Sequence, residues 1–147
     1  MNIMIRIIVV GKLKNSCISG LAKDYFERIN HSARCELIEL KDSTVEKEGK
    51  AILEKIDDTV FVAALCIEGK QYSSEEFSKL INSNSLNFKN MVFVIGGPEG
   101  LSDKVKERAN VKLSLSKMTY THEMARVILL EQIYRAYSII NNLKYHK

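Results

Sequence analysis

The sequence predicts an α/β domain built on a mostly parallel sheet with helices on both faces. Three observations carry that prediction. Short apolar runs rich in β-branched residues alternate with segments whose apolar residues recur every three or four positions. The strongest runs, MIRIIVV at 4–10, TVFVAALC at 59–66 and NMVFVI at 90–95, are nearly continuous, as strands buried on both faces are. No Pro- or Ser/Gly-rich linker and no internal repeat divides the 147 residues. A chain of 16.7 kDa buries about 70% of its surface, enough for one core and too little for two, so residues 1–147 are expected to form a single domain.

The elements follow in order. Met4 to Val10 reads as a buried first strand ended by Gly11. Ile18, Leu21, Ala22, Tyr25, Phe26 and Ile29 then place one apolar stripe on a helix. Cys35 to Leu40 reads as a strand, Thr44 to Ile56 as a helix and Thr59 to Cys66 as a strand. Glu68 to Tyr72 is expected to be a loop. Ser73 and Glu76 stand at capping-box spacing, which starts a helix near Ser74 that runs to about Asn82. Asn90 to Ile95 is the most hydrophobic strand, and the glycine turn Gly96 to Gly100 follows it without a gap. A short helix from Ser102, a strand at Val111 to Leu115 and a long helix from about Thr121 to Asn141 complete the series.

Composition narrows the class. One proline, seven glycines and 46% hydrophobic residues exclude a collagenous, disordered or low-complexity chain. No apolar run approaches the ~18 residues of a membrane helix, and Arg6 interrupts the N-terminal stretch, which suits a strand better than a signal peptide. A cytoplasmic protein without a membrane partner is expected. Cys17, Cys35 and Cys66 form no C-x-x-C pair and have no His at metal spacing, so they read as core or surface thiols, with a nucleophile or zinc site as the minor alternative, and no metal is expected.

The net charge is +4, from 22 Lys plus Arg against 18 Asp plus Glu, and it is unevenly spread. Residues 36–58 hold eight acids and four lysines, whereas residues 101–120 hold five basic groups and two acids. The C-terminal half therefore carries the positive surplus that an anionic polymer could meet, which charge by itself does not establish.

Ligands of such sheets bind at the carboxyl ends of strands, here the loops after Leu65, Ile95 and Leu115. The turn Gly96-Gly97-Pro98-Glu99-Gly100 lets backbone approach a ligand closely, but it is neither G-x-G-x-x-G nor a Walker A loop, which disfavours a Rossmann or P-loop enzyme. Leu113 to Glu123 ends a strand in hydroxyls with Lys117, Met118 and Tyr120 embedded, and Thr119 or Thr121 can cap the helix that follows. Converging on one sheet edge, these loops could sandwich an aromatic base between aliphatic groups and satisfy its edge with backbone. On the last helix, Glu123 with Arg126 and Glu131 with Arg135 read as ion pairs at three- and four-residue spacing. Met124, Val127, Ile128, Ile133, Ala136, Ile139 and Ile140 give that helix more apolar surface than one side of a monomer's helix needs, which is consistent with a dimer. The tail Leu143 to Lys147 is either a frayed terminus or, with a ring, an imidazole and two cations, an RNA-contacting segment.

Taken together, LCIEGKQYSSEEF, VFVIGGPEGL, LSLSKMTYTHEMARVILLEQIYRAYSIINNLKYHK and the first strand resemble the RlmH family of ribosomal RNA methyltransferases, members of the SPOUT superfamily, over essentially the whole chain. The glycine turn has low specificity. The stretch L-S-x-S-K-M-T joined to L-L-E-Q-I-Y-R-A and a terminal Y-H-K has high specificity. The resemblance implies a C-terminal trefoil knot and a homodimer in which each site uses both subunits. It implies S-adenosylmethionine as methyl donor and N3 of a pseudouridine in 23S rRNA of the assembled ribosome, not DNA, as acceptor. Carried over by motif, Leu65, Gly97, Leu115, Ser116, Lys117, Met118, Thr119 and Tyr120 form the cofactor pocket. His146, Tyr145 and Arg135 are candidates for orienting the base and easing its deprotonation, and Arg126, Lys117 and Lys147 for binding phosphate. The competing expectations are a non-catalytic ribosome- or RNA-binding module with a vestigial nucleotide pocket, and a flavodoxin-like small-ligand protein.

Overall fold

The structure, a computed structural model, describes residues 3–147; the first two residues of the expected domain lie outside the described residues. Five strands, β1 (Met4–Val10), β2 (Arg34–Leu40), β3 (Phe61–Gln71), β4 (Met91–Ile95) and β5 (Val111–Ser114), form one sheet in the order β2-β1-β4-β3-β5. All four pairings are parallel. Five helices, α1 (Ser16–Asn30), α2 (Val45–Glu54), α3 (Ser74–Leu86), α4 (Asp103–Arg108) and α5 (His122–Ile140), connect and cover the strands.

Alternation along the strands divides the core. Ile5, Ile7 and Val9 of β1, with Met91, Phe93 and Ile95 of β4, pack on the side of α1, α3 and α5. Ile8 and Val10, with Val92 and Val94, pack on the side of Ile52 in α2 and Val105 in α4. Both faces are therefore dry, which accounts for strands that read as continuous apolar runs. Helix α5 packs against both α1 and α3. Val127, Ile133 and Ala136 are consumed in this way, so part of the helix's apparent apolar surplus is core of the chain itself.

Each helix begins where a side chain can satisfy its first free N–H groups. Asn15, Thr44, Ser102 and Thr121 cap α1, α2, α4 and α5, and Ser73 with Glu76 closes a reciprocal capping box on α3. That helix runs to Leu86, beyond the end expected near Asn82.

The larger departure is β3. Residues Glu68 to Gln71, expected as loop, continue the strand. Pairing with β5 slips between Leu65 and Lys70: Leu65 and Lys70 both face Leu113, and Gln71 faces Ser114. The intervening residues bulge out of register, and bulges re-aim side chains. The sequence hides this because Ile67-Glu68-Gly69-Lys70-Gln71 carries turn-like polarity, whereas β5 supplies the pairing partner that makes it a strand.

Two glycines give opposite expectations. A Cβ on Gly69 would meet the Lys112 carbonyl oxygen at 2.5 Å, while one on Gly20 of α1 would meet nothing within 4 Å. Gly69→Ala is expected to destabilise the fold by about 1–3 kcal/mol, and Gly20→Ala to stabilise it by about 0.4–1 kcal/mol. Urea unfolding midpoints should move in opposite directions.

Candidate functional site

The carboxyl ends of β3, β4 and β5 meet around an open cleft of about 690 Å³. Its floor includes the turn after β4. Gly100 there has φ +83° and donates its N–H to the Gly97 carbonyl at 3.0 Å, closing the turn. Gly97 packs so closely that a Cβ would meet Val10 Cγ1 at 3.3 Å, so its backbone forms the surface a ligand would touch.

The third wall is the loop after β5, which its own hydroxyls shape. Ser114 Oγ donates to the Ser116 carbonyl at 3.0 Å, and Ser116 Oγ accepts from the Met118 N–H at 3.0 Å. Thr121 then caps α5 by accepting from the Met124 N–H. Met118 is 76% exposed, and Ile67 and Tyr120 also present apolar surface on this cleft. Such a contiguous apolar lining with a few polar groups is the usual character of a small-molecule site.

Seven of the eight residues expected in the pocket line this cleft: Leu65, Gly97, Leu115, Ser116, Met118, Thr119 and Tyr120. Lys117 is exposed and is not among the lining residues. Sequence reasoning missed Cys66, Ile67 and Glu68, which reach the cleft through the β3 bulge, and Lys106 of α4, which pairs with Glu68 at 3.0 Å. Burial pushes the Cys66 thiol up, with the Glu68 charge adding to it, so the residue keeps its proton and is a poor nucleophile. Among the described residues no group of three or more His, Cys, Asp or Glu could hold a metal ion. No described helix is long and apolar enough to cross a membrane.

The first turn of α5 fixes a further loop beside the cleft. Glu123 accepts the backbone N–H groups of Lys14 at 2.9 Å and Asn15 at 3.2 Å, and these bonds hold its carboxyl below the usual carboxylate range. Glu123 therefore does not pair with Arg126 as its spacing suggested. Arg126, expected on phosphate, is 2% exposed. It donates to Glu39 at 2.6 Å and to the Gly11 carbonyl at 3.0 Å, joining α5 to the ends of β1 and β2. A guanidinium so enclosed cannot reach RNA, so Arg126 is a tie between elements and not the phosphate ligand its charge suggested.

Arg135, Tyr145 and His146 do come together, away from the cleft of their own chain. The expected pair of Arg135 with Glu131 forms at 3.1 Å. The Arg135 guanidinium lies 4.7 Å from the Tyr145 ring centre, and His146 touches both Arg135, at 3.1 Å, and Glu75, at 2.9 Å. The Tyr145 hydroxyl meets that of Tyr25 at 2.9 Å. Burial, with that hydrogen bond second, pushes its phenol up to about 12, so Tyr145 stays protonated near neutrality. The tail is thus a packed segment, with Tyr145 edge-on to Tyr134.

Sequence and fold comparisons agree with this geometry. Residues 3–146 match a family model described as Predicted SPOUT methyltransferase. The chain is 46% identical to the ribosomal RNA large subunit methyltransferase H of Ureaplasma urealyticum, covering 98% of this chain and 99% of that protein. It is 42% identical to the protein of the same name from Enterococcus faecalis, covering 97% and 99%. Among solved structures, a probable methylase family protein from Haemophilus influenzae Rd KW20 superposes with a TM-score of 0.61 at 14% identity, covering 97% of this chain and 70% of that one. A probable rRNA-methyltransferase from Porphyromonas gingivalis superposes with a TM-score of 0.54 at 12% identity, covering 95% and 70%. The chain belongs to the SPOUT methyltransferases and, within them, to the ribosomal RNA large subunit methyltransferase H (RlmH) family.

The Glu123 clamp has a pH signature. A carboxyl whose folded value lies below its ordinary 4.5 contributes stability that is present above the ordinary value and is lost as pH falls through the lowered one. Glu123→Gln is expected to lower Tm at neutral pH, with the gap to the unsubstituted protein closing toward the acid end of a melting series.

Proposed function

We propose that the chain transfers a methyl group from S-adenosylmethionine to N3 of a pseudouridine in 23S rRNA, acting in the cytoplasm on the assembled ribosome. The observation that carries the reading is the cleft itself, enclosed by three strand-end loops in a chain of this family. Its size lies within the roughly 300–1,000 Å³ typical of small-molecule sites. A Cβ at Gly97 would face Val10 and Glu48, so the turn packs closely beneath the cleft and offers its backbone to a nucleoside, and Ile67, Met118 and Tyr120 offer exposed apolar walls for a base. The residues present therefore fit S-adenosylmethionine. Leu65, Gly97, Leu115, Ser116, Met118, Thr119 and Tyr120 would hold it. When bound, it supplies a methyl group already made electrophilic by the sulfonium.

What remains for the protein is positioning and charge, and positioning supplies most of such an acceleration. In this reading Arg135, with Tyr145 and His146, orients the uracil ring and stabilises the negative charge that builds on it as the N3 proton departs. Lys117 and Lys147, both exposed, bind phosphate. In one chain the Arg135 cluster does not line the cleft. A homodimer in which one subunit's tail completes the other subunit's cleft reconciles the two halves. The reading also includes threading of the C-terminal part through a trefoil knot.

Calorimetry with S-adenosylmethionine is expected to show binding to the unsubstituted protein. Gly97→Val, whose side chain would press on Val10 and Glu48 beneath the turn, should shift that turn and weaken binding at least about tenfold. Labelled methyl should pass to ribosomes from cells lacking the enzyme, and mapping should place it on a 23S rRNA pseudouridine. A protein that binds ribosomes but takes up no donor is instead a binding module.

A further inference from the structure

Glu75, at the start of α3, lies within the stretch LCIEGKQYSSEEF but does not line the cleft. It is not needed to cap its helix, because Ser73 and Glu76 close the capping box. Its Oε1 nevertheless lies 2.9 Å from Nε2 of His146, a residue 71 positions away. On the other side of that ring, Nδ1 lies 3.1 Å from Nη1 of Arg135. A guanidinium is always protonated and only donates. His146 Nδ1 must therefore be the acceptor, which leaves the ring proton on Nε2, donated to Glu75. An Nδ1–H tautomer or an imidazolium would set N–H against N–H. The chain Glu75, His146, Arg135 thus admits one arrangement of protons, that of a neutral Nε2–H imidazole.

Arg135 is fixed on a second side by Glu131, with Nε at 3.1 Å from Oε1 and Nη2 at 3.1 Å. The Arg135 guanidinium carbon lies over the Tyr145 ring, 4.7 Å from its centre. Among the described residues these contacts leave N–H groups of Arg135 for a substrate.

We propose that Glu75 is a positioning residue: by holding His146 as the neutral Nε2–H tautomer, it turns the Nδ1 lone pair into the acceptor that orients the Arg135 guanidinium toward the pseudouridine. The inference rests on the reading under Proposed function and deepens it. In this arrangement both ring nitrogens of His146 are occupied. The imidazole acts through Arg135, and the cation, not a histidine base, is what the tail presents to the developing negative charge.

The test combines a spectrum with kinetics. The chain has three histidines, so ring 15N shifts of 15N-labelled protein can be assigned with a His146→Gln reference. The full-length protein is expected to show His146 with a protonated Nε2 and a bare Nδ1. Glu75→Ala should release that preference into mixed tautomers and lower kcat for ribosome methylation about tenfold, with KM for ribosomes and Kd for S-adenosylmethionine within about twofold. Glu75→Gln keeps an acceptor oxygen, so it should retain both the tautomer and a kcat within about threefold of the unsubstituted protein. Unchanged kcat or unchanged His146 shifts in Glu75→Ala overturn the inference, as does a Gln variant that keeps the tautomer but is as slow as the Ala variant. An active unsubstituted protein whose His146 carries its proton on Nδ1 sinks this inference alone. A protein with the expected spectrum and no methyl transfer sinks the functional reading, and Glu75's part in transfer goes with it.

Discussion

Helices cover both faces of the sheet, so a ligand can approach the strands only at their ends, and because all pairings are parallel the carboxyl ends lie on one edge. This constraint organises the rest of the molecule. β4 and β5 flank β3 in the sheet order, so the loops that follow these three strands open side by side and their walls converge without any long-range design beyond the strand order. No glycine-rich helix start is required. The glycine turn after β4 and the hydroxyl-rich loop after β5 instead supply backbone from two directions, and the β3 bulge supplies the third.

Polar contacts then hold that edge in shape. Arg126 ties the first turns of α5 to Glu39 and the Gly11 carbonyl, and Glu123 ties the same turns to the backbone after β1. A buried charged pair of this kind adds little net stability over an apolar contact of the same size, but removing one member leaves the other uncompensated. Its use is to fix one arrangement: the start of α5 cannot shift without breaking bonds to two strand ends. The cleft wall formed by residues 115–121 leads directly into that anchored turn, so the local geometry of the site inherits the rigidity of the sheet.

The far end of the same helix supports a second polar and aromatic cluster, outside the lining of the cleft of its own chain. The tail folds back so that Leu143 donates its N–H to the Ser138 carbonyl at 2.8 Å, which carries Tyr145 and His146 to Arg135 and the start of α3. Aromatic packing of Tyr25, Tyr134 and Tyr145 makes this a cluster with its own order. One helix therefore joins the loop that walls the cleft at its first turn to the Arg135 cluster at its later turns.

Much of this was legible in the residues. Apolar period and length marked ten elements, hydroxyl and amide side chains marked the helix starts, and strand ends pointed to the loops around the cleft, whose lining includes seven of the eight residues that the family resemblance carried over. These are local properties, because a strand buried on both faces and a capped helix declare themselves within a few residues. The chain order of elements and the chemistry of each loop were thus determined by sequence alone. Only the tertiary structure decided which polar groups meet. Glu39 lies 87 residues from Arg126 and Glu75 lies 71 from His146, and helical spacing pointed Arg126 at Glu123 instead. The β3 bulge likewise needs β5 beside it. Hydrogen-bond partners depend on strand order and packing, which bring distant segments together, and no local pattern of apolar residues encodes those meetings.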